Sequence, residues 1–105
     1  MRLASPPLLI QKYYSSLTWR IPVDDKKIFL TFDDGPIPEV TPFVLAQLKK
    51  YNCKATFFCI GNNVQNDIAL YNQLLSEGHA VGNHTFNHIN GWKTKQSDYT
   101  NNVEQ

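Results

Sequence analysis

No stretch of this 105-residue chain approaches the roughly 20 consecutive apolar residues that a membrane-spanning helix needs. An export signal is equally hard to find. Such a signal needs an apolar run of about 7–15 residues and a small-residue cleavage site. The N-terminal segment "MRLASPPLLIQKYYSSL" offers only Leu8-Leu9-Ile10, next to the breaking pair Pro6-Pro7. The expectation is therefore a cytoplasmic chain by default, or one that leaves by a route its sequence does not show. An excess of one charge is missing too. The formal net charge is +1 and the basic residues are scattered, the densest group being Lys49-Lys50 with Lys54 nearby. That leaves no electrostatic footprint for nucleic acid. Cysteine is scarce: Cys53 and Cys59 flank the run Lys54-Ala55-Thr56-Phe57-Phe58. Across a strand they would lie about 20 Å apart, at roughly 3.3 Å per residue. A disulfide needs Cα atoms within about 7 Å. Both are expected to be buried thiols, and neither a disulfide nor a zinc pair is expected. What remains is an ordinary composition, 42% hydrophobic and 18% charged, which predicts one small domain with a folded core.

Residues 1–25 read as an irregular lead-in, with Pro6, Pro7 and Pro22 and the aromatic group Tyr13, Tyr14 and Trp19. Residues 26–105 carry a repeating pattern. Lys27–Phe32 is a β-type run ended by Asp33-Asp34-Gly35-Pro36. A helix follows, with Thr41 as N-cap and Pro42 at the first helical position. Val40, Phe43, Val44, Leu48 and Tyr51 form its apolar stripe, and Asn52 ends it. Ala55–Ile60 is a second strand. A second helix places Val64, Ile68, Tyr71 and Leu75 on one stripe and stops at Gly78. Ala80–Asn83 is a third strand, and another helix starts near Lys95. Strand–helix alternation predicts parallel strands with helical crossovers, an α/β architecture. The apolar strands suit a sheet buried on both faces. The pattern holds about three βα units and is expected to be incomplete.

In parallel α/β folds, functional residues gather at the C-terminal ends of strands. Asp33 and Asp34 end the first strand; His84 and His88 follow the third. If the strands are neighbours, these groups share one mouth, within reach of one cation. One Asp and two His leave coordination positions open, as a catalytic metal site requires. The second carboxylate would then be free to act as a base toward water. Each motif alone has a plainer reading: Asp-Asp-Gly-Pro is a good turn, and His-x-x-x-His is common on helices. Together, each after an apolar strand, they point to a metal. Asn83 and Thr85 read as residues that shape the turn and orient the histidines. His79 reads as structural. Phe32, Phe57 and Phe58 read as core. Tyr13, Tyr14, Trp19 and Trp92 read first as packing, with stacking on sugar rings as the lesser alternative.

The stretches "TFDDGP", "KATFFCIGNNV" and "EGHAVGNHTFNH", in this order and spacing, resemble the opening motifs of the NodB-type polysaccharide deacetylases, the family 4 carbohydrate esterases. The resemblance runs from about Lys27 to the end. It implies a distorted (β/α) barrel and metal-dependent hydrolysis of an N-acetyl group on a glycan such as peptidoglycan or chitin. Carried over by position, Asp33 matches the catalytic base, and Asp34, His84 and His88 match the metal ligands. The ion implied is Zn2+, with Co2+, Ni2+ or Mn2+ as alternatives. The partner implied is an acetylated polysaccharide or oligosaccharide; oligomeric state is left open.

The family pattern continues with an Arg-Pro segment and a Leu-x-His segment whose histidine protonates the leaving amine. Here no histidine follows His88 and no arginine follows Arg20. An amine leaves poorly without a proton. The expectation is the N-terminal part of a deacetylase domain, with little activity of its own. The alternative is a non-catalytic metal- or carbohydrate-binding remnant.

Overall fold

The computed structural model describes residues 5–105. The first residues of the expected lead-in, 1–4, lie outside it. Within the rest of the lead-in, Leu8–Tyr13 form one short helix, α1, with no buried residue. Three strands and four further helices follow. They are β1 (Thr31–Gly35), α2 (Thr41–Lys50), β2 (Thr56–Cys59), α3 (Gly61–Asn66), α4 (Ile68–Ser76), β3 (Ala80–Asn83) and α5 (Gln96–Glu104). The strands form one parallel sheet in the order β1-β2-β3. Helical crossovers between parallel neighbours make this the α/β arrangement that the alternation implied.

Two helix ends follow from single residues. After α2, Asn52 takes φ 50°, and Cys53 N–H reaches back to the Leu48 carbonyl at 2.8 Å while Asn52 N–H reaches that of Lys49 at 3.1 Å. After α4, Gly78 takes φ 78°, with the same pair of bonds from His79 to Leu74 and from Gly78 to Leu75. Both are Schellman stops, which need a residue that tolerates the left-handed region.

Several expectations are corrected. The first strand begins at Thr31 and includes both aspartates. Ile28 and Phe29, expected inside it, are exposed. They flank an edge strand, and no second neighbour pairs with it among the described residues. Helix α2 starts at Thr41 itself, whose Oγ1 accepts the Ile37 N–H at 2.9 Å. Its buried face is Thr41, Leu45 and Leu48; Val40, Phe43 and Tyr51 of the expected stripe face solvent. The single helix expected from Val64 to Leu75 is two. Asp67 interrupts it, and its carboxylate accepts the Leu70 N–H at 3.0 Å as the N-cap of α4. A short acidic side chain competes for backbone N–H groups and so favours caps over helix interiors. Leu70 and Leu74 are buried there, whereas Ile68 and Leu75 are exposed.

The core joins Leu45, Leu48, Ala55, Phe57, Cys59, Leu70 and Leu74, with Phe32, Val44, Val64 and Tyr71 packed on it. Phe57 and Cys59 are buried while Thr56 and Phe58 on the opposite face are half-buried. One face of the sheet is therefore sealed by helices, and the expected burial of both faces is not met. His79 is buried in its structural place: Nδ1 accepts the Ala55 N–H at 3.3 Å, and the ring meets Phe57 edge-on. Cys53 is exposed rather than buried, because it follows the helix stop at the rim of the fold. Trp92 is 99% exposed, so packing does not account for it. No helix among the described residues is long and apolar enough to cross a membrane.

Candidate metal centre

The C-terminal ends of β1 and β3 bring their polar residues to one place. The ladder pairs Asp33 with Phe58 and Gly35 with Cys59, so Asp34 is an extra residue in β1, a bulge. Its φ is 69°. Beyond β3, the loop from His84 to His88 turns sharply, with Thr85 at φ 62° and His88 at φ 54°. Asp34 and the histidine loop thus hold three of the four non-glycine residues with positive φ among those described. Such clusters of backbone strain persist where surrounding contacts hold them, and they are common at functional sites.

The result is a compact donor set. Asp34 Oδ1 lies 3.2 Å from His84 Nε2 and 3.2 Å from His88 Nε2. One ligand atom from each of the three residues lies within 4.8 Å of the others. The imidazole rings are 5.0 Å apart. These spacings fit a cation. Ligand bonds of about 2.0–2.2 Å place neighbouring donors roughly 3.0 Å apart at a right angle and roughly 3.4 Å apart at the tetrahedral angle. A carboxylate with two imidazoles also suits a divalent transition ion, and three protein donors leave room for water or substrate. The mouth is open: the side chains of Asp34 and His88 are more than half exposed, and that of His84 about a third.

Asp33 sits in the ladder directly before the bulge and is exposed. No hydrogen bond or ion pair engages its carboxylate among the described residues. Asn83 shapes the turn as expected: Oδ1 accepts the Thr85 N–H at 2.8 Å and Nδ2 donates to the Val103 carbonyl at 2.7 Å. It does not hydrogen-bond to either imidazole. Thr85 Oγ1 is buried without a hydrogen-bond partner, so it does not orient the histidines directly.

Two asparagines that the sequence reading passed over reach this site. Asn102 of α5 accepts the N–H groups of Phe86 and Asn87, each at 3.0 Å, through Oδ1. Asn63 of α3 donates to the Asp34 carbonyl at 2.8 Å. The signal for Asn63 was its place just beyond a strand end, where polar side chains meet the mouth. Asn102 left no comparable trace, being one polar residue among several on a helix.

The profile of the polysaccharide deacetylase family matches residues 20–105. A peptidoglycan-N-acetylglucosamine deacetylase of Bacillus cereus is 45% identical over 87 residues, covering 83% of this chain and 41% of the relative. A chitooligosaccharide deacetylase of Azorhizobium caulinodans is 45% identical over 71 residues, or 68% of this chain and 34% of the relative. Among solved structures, the Bc1960 peptidoglycan N-acetylglucosamine deacetylase superposes with a TM-score of 0.76 at 41% identity, over 79% of this chain and 39% of that one. A family 4 acetyl xylan esterase from Clostridium thermocellum, solved with a cobalt ion, gives 0.67 at 34% identity, over 72% and 38%. The chain spans about two fifths or less of the length of these relatives.

Proposed function

The chain belongs to the polysaccharide deacetylase family, and from that premise we propose that it carries the metal-binding part of an enzyme that hydrolyses N-acetyl groups on an N-acetylglucosamine polymer of the peptidoglycan or chitin type. The observation that carries this reading is the convergence of Asp34, His84 and His88 from two strand ends, with a free carboxylate, Asp33, one residue away.

Asp34, His84 and His88 would hold a divalent ion, with Zn2+ the first choice; an esterase relative solved with a cobalt ion is in keeping with a transition ion. When bound, the ion supplies Lewis acidity toward the acetyl carbonyl and lowers the pKa of water. Asp33 takes the proton of the attacking water. Water adds to the amide carbon, the C–N bond breaks, and acetate and a free amine result. The amine must gain a proton as it leaves. A second reading keeps the same donors and has the chain bind metal or glycan without turnover.

The test is acetate release from N-acetylglucosamine oligomers by the metal-loaded protein, with Asp33→Asn and Asp34→Ala alongside. Expected is slow release by the wild type, a rate lower still by about 100-fold or more for Asp33→Asn with metal retained, and loss of the metal in Asp34→Ala. Saturable glycan binding with no acetate would favour the second reading.

A further inference from the structure

Asp34 meets the histidines because β1 is kinked at that residue. The bulge takes the Asp34 carbonyl out of the ladder to β2, and the side-chain amide of Asn63 captures it at 2.8 Å. Asn63 lies in the first turn of α3. The two residues before it reach the other half of the site. Gly61 N–H donates to the Thr85 carbonyl at 3.0 Å, and Asn62 N–H to that of Phe86 at 2.9 Å. Three consecutive residues therefore tie the kink that bears the carboxylate to the loop that bears both imidazoles. Gly61 and Asn62 act through their backbone N–H groups. Asn63 acts through its side chain.

We infer that Asn63 is a positioning residue of the metal centre: its amide holds the left-handed kink at Asp34 and so sets where that carboxylate stands relative to His84 and His88. This rests on Asp34, His84 and His88 being the ligand set. Groups that orient metal ligands typically change affinity by about 10- to 100-fold when removed. A tie that served only to fasten α3 to β1 would act differently. It would lower the stability of the metal-free protein and leave the arrangement of donors intact.

The experiment measures Zn2+ affinity, by competition with a chromogenic chelator, and the visible absorption of the Co2+-loaded protein. It compares the wild type with Asn63→Ala, Asn63→Gln and Asp34→Ala. Expected for Asn63→Ala is Zn2+ binding weaker by about 10- to 100-fold and a changed Co2+ spectrum, with the urea midpoint of the metal-free protein unaltered. Asn63→Gln keeps a donor amide and recovers part of the affinity. If Asn63→Ala does not fold, Asn63→Ser, too short to span the gap, takes its place in the comparison. Wild-type affinity and spectrum in the donor-less variant overturn the inference alone, provided Asp34→Ala has lost the metal. A wild type that binds neither ion overturns the ligand set as well.

Discussion

Gly61 stands so close to Phe86 that no methyl group fits between them. A Cβ on Gly61 would lie 2.5 Å from Phe86 Cδ2 and 3.2 Å from its Cα. Phe86 sits in the middle of the histidine loop, so this contact sets how near α3 comes to the candidate centre. The ring could swing aside, but the Cα belongs to the loop backbone.

Gly61→Ala is therefore expected to displace the loop between His84 and His88. Overpacking of this kind costs about 1–3 kcal/mol. Chemical denaturation should show that loss, and Zn2+ titration should show weaker binding. Unchanged stability and affinity would mean that the loop yields freely and does not depend on this contact.

Leu74 and Leu75 are adjacent, yet Leu74 is 0% and Leu75 44% exposed. Leu74→Ala should cost about 2–5 kcal/mol, the range for emptying a closed core site. Leu75→Ala should cost much less, near the roughly 0.5 kcal/mol typical of surface changes. Urea midpoints of the two variants decide which residue faces the core. A larger loss at Leu75 would restore the helix face expected from the Val64, Ile68, Tyr71 and Leu75 stripe.

The thiols should differ in reactivity. Cys53 is exposed, whereas Cys59 is buried in the sheet and burial pushes its pKa above the ordinary 9.0. Reactivity follows the accessible thiolate. A chromogenic disulfide reagent should modify Cys53 promptly in the native protein and Cys59 only on unfolding. Two equally fast thiols, or Cys59 reacting first, would contradict this packing.

His79 gives the fold a pH dependence of known sign. Burial, and then the nearby Lys54, lower its pKa from the ordinary 6.5, with Glu77 opposing. The unfolded chain therefore binds more protons in mildly acidic solution. The stabilisation is fully present above about pH 6.5 and is lost as pH falls through the lowered folded value. Protonation also removes the Nδ1 acceptor that holds Ala55 N–H. Urea unfolding of the metal-free protein, at neutrality and near pH 5, should show a larger loss for the wild type than for His79→Phe. Equal losses in both proteins would exclude His79 as the source.

Much of the frame could be read from single residues acting locally. Asn52 and Gly78 stop their helices because few other residues enter the left-handed region cheaply. The alternation of apolar strands and amphipathic segments implied parallel strands, because only a crossover joins them. Residue type likewise marked the pair Asp33-Asp34 with His84 and His88 as possible cation donors, because carboxylate and imidazole are the donors such ions take; the choice of Asp34 over Asp33 came from the family resemblance.

Other features depended on what each element meets in space. Leu45, rather than Phe43, faces the core of α2, since the position of the sheet decides which side of a broadly apolar helix is covered. Asp67 became a cap once the chain had to turn between α3 and α4. The joining of Asp34 to His84 and His88 required a bulge in β1, positive φ at three positions and hydrogen bonds from Asn63 and Asn102. The sequence by itself determined the order of the elements, through local propensity, and named the candidate donors, through residue type. Only the tertiary structure decided their convergence, because residues about 50 positions apart meet through register, twist and the contacts of neighbouring helices.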